Sequence, residues 1–120
     1  MDVKTIAVYT YDSMGNRNHI ATALNKIDMF ITNRLGDAQY DTYADEDSIE
    51  RPMFNKMMGD VRSGKVDVLF VTDLNRLQRV YPDKPESIQR FMEIWNELQT
   101  HDVMVIATSM IEDVEGILRS

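Results

Sequence analysis

The run Val66-Asp67-Val68-Leu69-Phe70-Val71 constrains the fold more than any other part of this sequence. It is nearly continuous in apolar residues, without the polar alternation of a half-exposed strand, so it predicts a strand covered on both faces. A strand of that kind requires a layer above and a layer below it, which points to a parallel sheet sandwiched by helices.

The rest of the chain supplies those layers. Val3 to Tyr9 is β-branched and aromatic and predicts a first strand, followed by the polar string Thr10 to Asn18 with Gly15 inside it. From Ile20, the residues Leu24, Ile27, Ile31 and Leu35 recur at spacings of three and four, and Gly36 stands where a helix would stop. Gln39 to Tyr43 alternates as a short second strand before an acidic loop, Asp45 to Glu50. Pro52 suits a first helical turn, and Met53, Met57 and Val61 share one face of a second helix that Gly64 closes. After Pro82 and Pro85, a stripe of Ile88, Phe91, Met92, Trp95 and Leu98 predicts a third helix ending near His101, and Val103 to Ala107 a last buried strand. Ser109 to Ser120 shows no clear pattern. The expectation is one α/β domain over residues 1–120, a three-layer sandwich with a mainly parallel central sheet of four to five strands.

Composition narrows the chemistry. With no cysteine, and with His19 and His101 far apart in sequence, neither a thiolate metal site nor a local histidine motif is expected, and no metal or cofactor is implied. The first apolar run is broken by Asp2, Lys4 and Asp12, too early for a signal peptide or membrane span, so a cytoplasmic protein without a membrane partner is expected. The net charge of -7 speaks against a domain that grips duplex DNA through its whole surface, yet Arg51, Arg62, Arg76 and Arg79 are concentrated in one stretch.

In doubly wound sheets the chemistry lies beyond the carboxyl ends of the strands. Two polar loops occupy that edge, Tyr11 to Asn18 and Asp73 to Arg79. Ser13 in the first is a candidate nucleophile, although read in isolation such a serine is more often a turn residue; no histidine is expected where it would serve as its base. Arg76 and Arg79 are three apart, a spacing that lets both face one side of a turn above Ser13, where guanidinium groups suit phosphate. The alternative for both is a solvated surface or a pairing with Asp73 or Asp83, and for Arg51 a place at a helix start.

These residues resemble those of the serine site-specific recombinases, the resolvase/invertase family. Ala7 to Ser13 is similar to the family's opening motif, Ser48 to Phe54 with Arg51-Pro52 to its second, and Val66 to Arg79 to its buried strand and Asp-Arg-Leu-x-Arg motif. The resemblance implies a resolvase catalytic-domain fold and a DNA partner. By it Ser13 attacks a DNA phosphodiester, forming a 5′-phosphoserine link, and Arg51, Arg76 and Arg79 hold the phosphate. Tyr11 stands where the family has an arginine, Asn75 where it has an aspartate, and Asp12 where it has an apolar residue; Tyr11, Asn75 and Arg17 are possible supporting groups. Gly116-Ile117-Leu118 is similar to the start of the family's long dimerisation helix. The resemblance therefore implies a homo-oligomer, dimer or tetramer, whose DNA contacts lie mainly in regions this chain does not carry, with no DNA-binding domain in it. A degenerate domain kept as an interaction or regulatory module is the competing reading, for which Tyr11 and Asn75 speak. A phospho-receiver domain fits less well, because the first strand lacks paired acidic residues and no lysine follows the last.

Overall fold

A computed structural model of the chain describes residues 5–12, 14–46 and 50–119. Ser13 lies outside the described residues, as do the expected strand start at Val3 and Lys4 and the segment 47–49 with Ser48.

The chain alternates strand and helix: β1 (Ile6–Asp12), α1 (Arg17–Leu35), β2 (Tyr40–Glu46), α2 (Pro52–Arg62), β3 (Val68–Val71), a single 3-10 turn (Leu74–Arg76), α3 (Pro85–Thr100), β4 (Met104–Ala107) and α4 (Thr108–Arg119). The four strands form one sheet in the order β2-β1-β3-β4, and every pairing is parallel. Side chains alternate across it as a strand's period of two demands. Ala7, Tyr9, Leu69 and Val71 join Phe54, Met57, Met58 and Val61 of α2 and Ile94 and Leu98 of α3 in one buried cluster. Ile6, Val8 and Phe70 join Ile27, Phe30 and Ile31 of α1 in another, on the opposite face. β3 is thus enclosed from both sides, as its uninterrupted apolar run requires.

β1 sits in the middle of this order, with β2 on one side and β3 on the other. The chain leaves β1 through α1 on one face and reaches β3 through α2 on the other, so the segments beyond the carboxyl ends of β1 and β3 part and leave a crevice. There Arg76, beyond β3, bonds the carbonyl of Tyr11 near the end of β1.

Several boundaries differ from those the sequence suggests, β1 among them: it runs on to Asp12 and takes in Thr10, Tyr11 and Asp12, expected in the loop. α1 begins at Arg17, three residues before Ile20, because Asn16 caps it: its Oδ1 accepts from the backbone N–H groups of Asn18 (2.9 Å) and His19 (3.3 Å). β2 runs to Glu46 and takes in Asp45, which the acidic pattern had put in a loop. The tail is a helix with an apolar stripe of Met110, Ile111, Val114 and Leu118, all exposed. Gly116 lies within α4, eight residues past its start, and the backbone N–H of Ser109 anchors the helix to the carbonyl of Thr72 at 3.0 Å, while Arg34 of α1 pairs with Glu115.

Asp45 explains its own place. It is only 2% exposed, and each of its oxygens is used: Oδ1 accepts from the N–H of Met53 (2.9 Å), Oδ2 from the N–H of Phe54 (2.9 Å) and from the Tyr9 hydroxyl (2.8 Å). The first turn of α2, which has no cap from its own Arg51, is capped across the sheet. Asp45→Ala would leave two helix donors and a phenol without an acceptor. At about 1–3 kcal/mol for each buried donor left unpaired, it is expected to lower the unfolding free energy by roughly 3 kcal/mol or more in urea melts, with Asp45→Asn between it and wild type. A loss below about 1 kcal/mol would show the cap to be dispensable.

Candidate active site

Arg51 is where the loops are tied together. It precedes Pro52 at the start of α2 in a left-handed conformation, φ 49 and ψ 62. A non-glycine residue held there costs on the order of 1–3 kcal/mol and persists only when its surroundings fix it. The side chain supplies the fixing. Nε donates to the Tyr9 hydroxyl (3.1 Å), Nη1 to the carbonyl of Leu77 (2.7 Å) and Nη2 to that of Arg76 (2.6 Å). The guanidinium carbon stands 4.0 Å from the ring centre of Phe54 and 5.3 and 5.2 Å from those of Tyr9 and Tyr11. Such a planar, permanently charged fork can bridge three acceptors and stack on aromatic faces at once, which an ammonium cannot. The result is a relay in which Arg51 donates to Tyr9 and Tyr9 donates to Asp45.

Burial is the main reason the Tyr9 phenol is pushed far above its ordinary range; its bond to the Asp45 carboxylate adds to this and Arg51 opposes it. Tyr43, bonded to Asp60 at 2.5 Å, is raised for the same first reason. A phenol whose folded value is raised holds its proton longer folded than unfolded, so its contribution is complete below about pH 10, the unfolded value, and fades as pH rises beyond it. Unfolding free energy is therefore expected to fall above about pH 10 by up to ~1.4 kcal/mol per pH unit for each of the two phenols. Tyr9→Phe should reduce that slope in alkaline denaturation series; an unchanged slope would contradict the assignment.

Arg76, whose carbonyl Arg51 holds, turns its own side chain to the end of β1. Its Nη1 donates to the carbonyl of Tyr11 at 3.0 Å. Its Nε is buried without a hydrogen-bond partner among the described residues, although the Asp73 carboxylate lies 3.5 Å away in an ion pair. The side chain is 41% exposed. It borders a small cavity of about 140 Å³ shared with Thr10, Tyr11, Asp12 and His19, and a larger groove of about 970 Å³ between α1 and α4.

The structure thus gathers Arg51, Arg76 and Tyr11 at the carboxyl end of β1, one residue short of Ser13's neighbour Asp12. It sends the others elsewhere. Arg79 is exposed and lies 5.6 Å over the ring of Tyr81, so Arg76 and Arg79 have different partners despite their spacing. Asn75 is exposed, with its backbone N–H bonded to Asp73 Oδ1 at 3.1 Å. Arg17 is 86% exposed and pairs with Glu46 at 3.0 Å. Among the described residues no cluster of histidine, cysteine and carboxylate groups fit to hold a metal is present.

Sequence reasoning missed His19. It is the third residue of α1, and side chains in a first turn lean back toward the helix start. Its Nδ1 lies 3.1 Å from Oδ2 of Asp12, while Asp12 Oδ1 accepts the backbone N–H of Met14 at 2.9 Å. The bond from Met14 first, and then His19, hold the Asp12 carboxyl below its ordinary range. The signal was Asn16: read as the cap, it moves the helix start back and brings His19 to the loop. His19 thus stands beside Asp12, at the end of β1.

The chain matches the family described as "Resolvase, N terminal domain" over residues 13–115. It belongs to that family. Its fold is that of the N-terminal catalytic domain of TP901-1 integrase, with a TM-score of 0.71 at 19% identity over 98% of this chain and 100% of the other. The C-terminal catalytic domain of ISC1926 TnpA, an IS607-like serine recombinase, gives 0.68 at 18% over 94% and 79%. A resolvase family site-specific recombinase from Streptococcus pneumoniae gives 0.64 at 19% over 98% and 87%. No curated protein matches the chain. At these identities the likeness is one of fold, and this resolvase domain carries Tyr11, Asp12 and Asn75 in a scaffold that differs from its neighbours at most positions.

Arg51→Lys tests the tie. It keeps the charge and loses the fork, and hydrogen bonds to charged donors contribute about 1.5–3 kcal/mol each. A loss of about 2 kcal/mol or more in urea unfolding is expected, with faster amide exchange over residues 74–79; wild-type exchange in that loop would refute the role.

Proposed function

We propose that this domain cleaves and rejoins DNA in site-specific recombination, with Ser13 as nucleophile. The serine hydroxyl attacks phosphorus, the bond to the 3′ oxygen breaks, and the strand is left joined to the protein through a 5′-phosphoserine until a 3′ hydroxyl reverses the step. The observation that carries the reading is the position of Arg76. It is aimed at the last residues of β1, keeps donors beyond those it has spent, and borders a cavity at the strand edge where this fold places its chemistry.

Arg51 supports rather than contacts the phosphate in this reading. Of the five N–H donors of a guanidinium, three are spent on Tyr9, Leu77 and Arg76, which fixes the carbonyl of the residue that does the contacting. Arg79 is exposed, in a stretch without regular structure after the 3-10 turn, and in this reading the DNA recruits it. The partners in this reading are DNA, gripped mainly by protein beyond this domain given the charge of -7, and further copies of the chain. The exposed stripe of Met110, Ile111, Val114 and Leu118 on α4 supports self-association. A cytoplasmic setting follows from the same reading, and among the described residues no helix is long and apolar enough to cross a membrane.

The competing reading, an inactive regulatory module, draws on Tyr11. Its ring is packed against the α2–α3 core beside Arg51, so it offers no cation where the resemblance expects one. A DNA duplex with a nick opposite the cleavage position, which traps the covalent step, separates the two in the protein joined to its DNA-binding region. Enzyme predicts an adduct at Ser13, none with Ser13→Ala, and a rate about 10²–10³-fold lower with Arg76→Ala, the usual effect of removing one charge-stabilising donor. DNA binding with no adduct in wild type would establish the module instead.

A further inference from the structure

The turn that follows Leu77 holds two cations in place without spending their hydrogen-bond donors. Its backbone is braced from several sides. Pro82 and Pro85 lock their own φ angles, and the N–H of Lys84 closes the turn on the carbonyl of Tyr81 at 2.9 Å. The buried hydroxyl of Ser87 accepts from the N–H of Tyr81 (2.9 Å) and donates to the carbonyl of Lys84 (2.7 Å). Tyr81 is thereby presented at the surface, 40% exposed, with the Arg79 guanidinium carbon 5.6 Å and the Lys84 ammonium nitrogen 5.1 Å from its ring centre. The electron-rich ring attracts both. Elsewhere the arginines are engaged: Arg17, Arg34, Arg62, Arg76 and Arg90 each stand against a carboxylate, and Arg51 spends three donors on protein acceptors. Among the described residues Arg79 and Lys84 pair with no carboxylate, the exposed Asp83 of the same turn included. A contact with a ring consumes no N–H, so the guanidinium keeps its five donors and the ammonium its three.

We propose that Tyr81 and Lys84, together with Arg79, form a docking platform for the sugar–phosphate backbone of DNA alongside the crevice. The proposal rests on DNA being the partner, as in the recombination reading. In a chain of net charge -7, two cations gathered at one exposed ring make a local site for anions. Two separately mounted cations suit a ligand whose anionic groups repeat, as phosphates do along a strand. The turn also belongs to the loop that carries Arg76, and the carbonyl of Leu77, from which it departs, is held by Arg51 at 2.7 Å. Lys84 and Arg79 donate to phosphate oxygens. Tyr81 is a positioning residue, whose ring aims the two cations. Contacts of this kind set the register of a duplex on the protein and carry no sequence information. Each phosphate neutralised releases counterions, so the binding weakens as salt rises.

Fluorescence anisotropy of a labelled DNA duplex of arbitrary sequence, titrated with the chain at a series of salt concentrations, tests the platform. Wild type is expected to bind at low salt, with the logarithm of affinity falling linearly in the logarithm of salt concentration. Lys84→Gln and Arg79→Gln should each flatten that slope by about one. Tyr81→Leu keeps both charges and should lower affinity roughly fivefold, the scale of a cation–π contact, while Tyr81→Phe, which keeps the ring, should match wild type. Lys65→Gln removes the same charge just before β3, at the opposite edge of the sheet, and should leave the slope unchanged. Thermal melts check that each variant is folded. Equal changes in slope with Lys65→Gln and Lys84→Gln, wild-type affinity in Tyr81→Leu, or no binding by wild type at low salt would overturn the proposal. The nicked duplex, used with the protein joined to its DNA-binding region, separates it from the reading on which it rests. Binding that depends on Lys84 without a covalent adduct keeps the platform and removes the recombinase. An adduct formed by Lys84→Gln as readily as by wild type at every salt concentration keeps the recombinase and removes the platform.

Discussion

One guanidinium holds the functional edge of this domain together. Arg51 spends its donors on a strand hydroxyl and on two carbonyls of the loop after β3, and in doing so joins β1, α2 and that loop at a single point. Each partner would otherwise be mobile relative to the others, since the loop after β3 has only a single 3-10 turn of regular structure. The cost of the arrangement is visible in the left-handed backbone at Arg51 itself. It is offset by three charge-assisted hydrogen bonds and an aromatic enclosure.

From that tie the site follows in order. With its carbonyl fixed, Arg76 can reach across the crevice to the Tyr11 carbonyl, and the crevice exists because β1 lies between β2 and β3 in a parallel sheet. Asp45 serves the same end from beneath, capping α2 and anchoring the Tyr9 hydroxyl that receives Arg51. The buried polar relay is fully paired, as a low-dielectric interior requires. In the proposed reading, the chemistry on the exposed side of the edge stands on a network that takes no part in it.

Much of this was legible in the sequence, for reasons that differ by element. The double-faced burial of β3 is written in Val66 to Val71, because a continuous apolar run has few other stable destinations. α1, α2 and α3 are legible because their inward faces repeat at helical spacing. Asp45 was not, since an acidic string reads as solvated and only the tertiary fold reveals that its carboxylate is needed at the start of α2. The stripe of α4 is harder to see, because Glu112, Asp113 and Glu115 interrupt its apolar residues and no partner layer covers them. For the site, residue types led to Arg76 and Arg51 but not to what each does: a guanidinium that ties three partners together and one that reaches across a crevice look identical in one dimension. His19 was hidden by a helix start placed three residues late, a small error in boundary that concealed a contact with Asp12.

Proton exchange at the arginine side chains, followed by NMR in the isolated domain, tests the tie most directly. If Arg51 organises the edge, its Nε–H gives a resolved signal that exchanges slowly with water and couples to Tyr9, while the Nε–H of exposed Arg79 exchanges freely. Equal, rapid exchange at both would mean that Arg51 is an ordinary surface residue and that something else assembles the site.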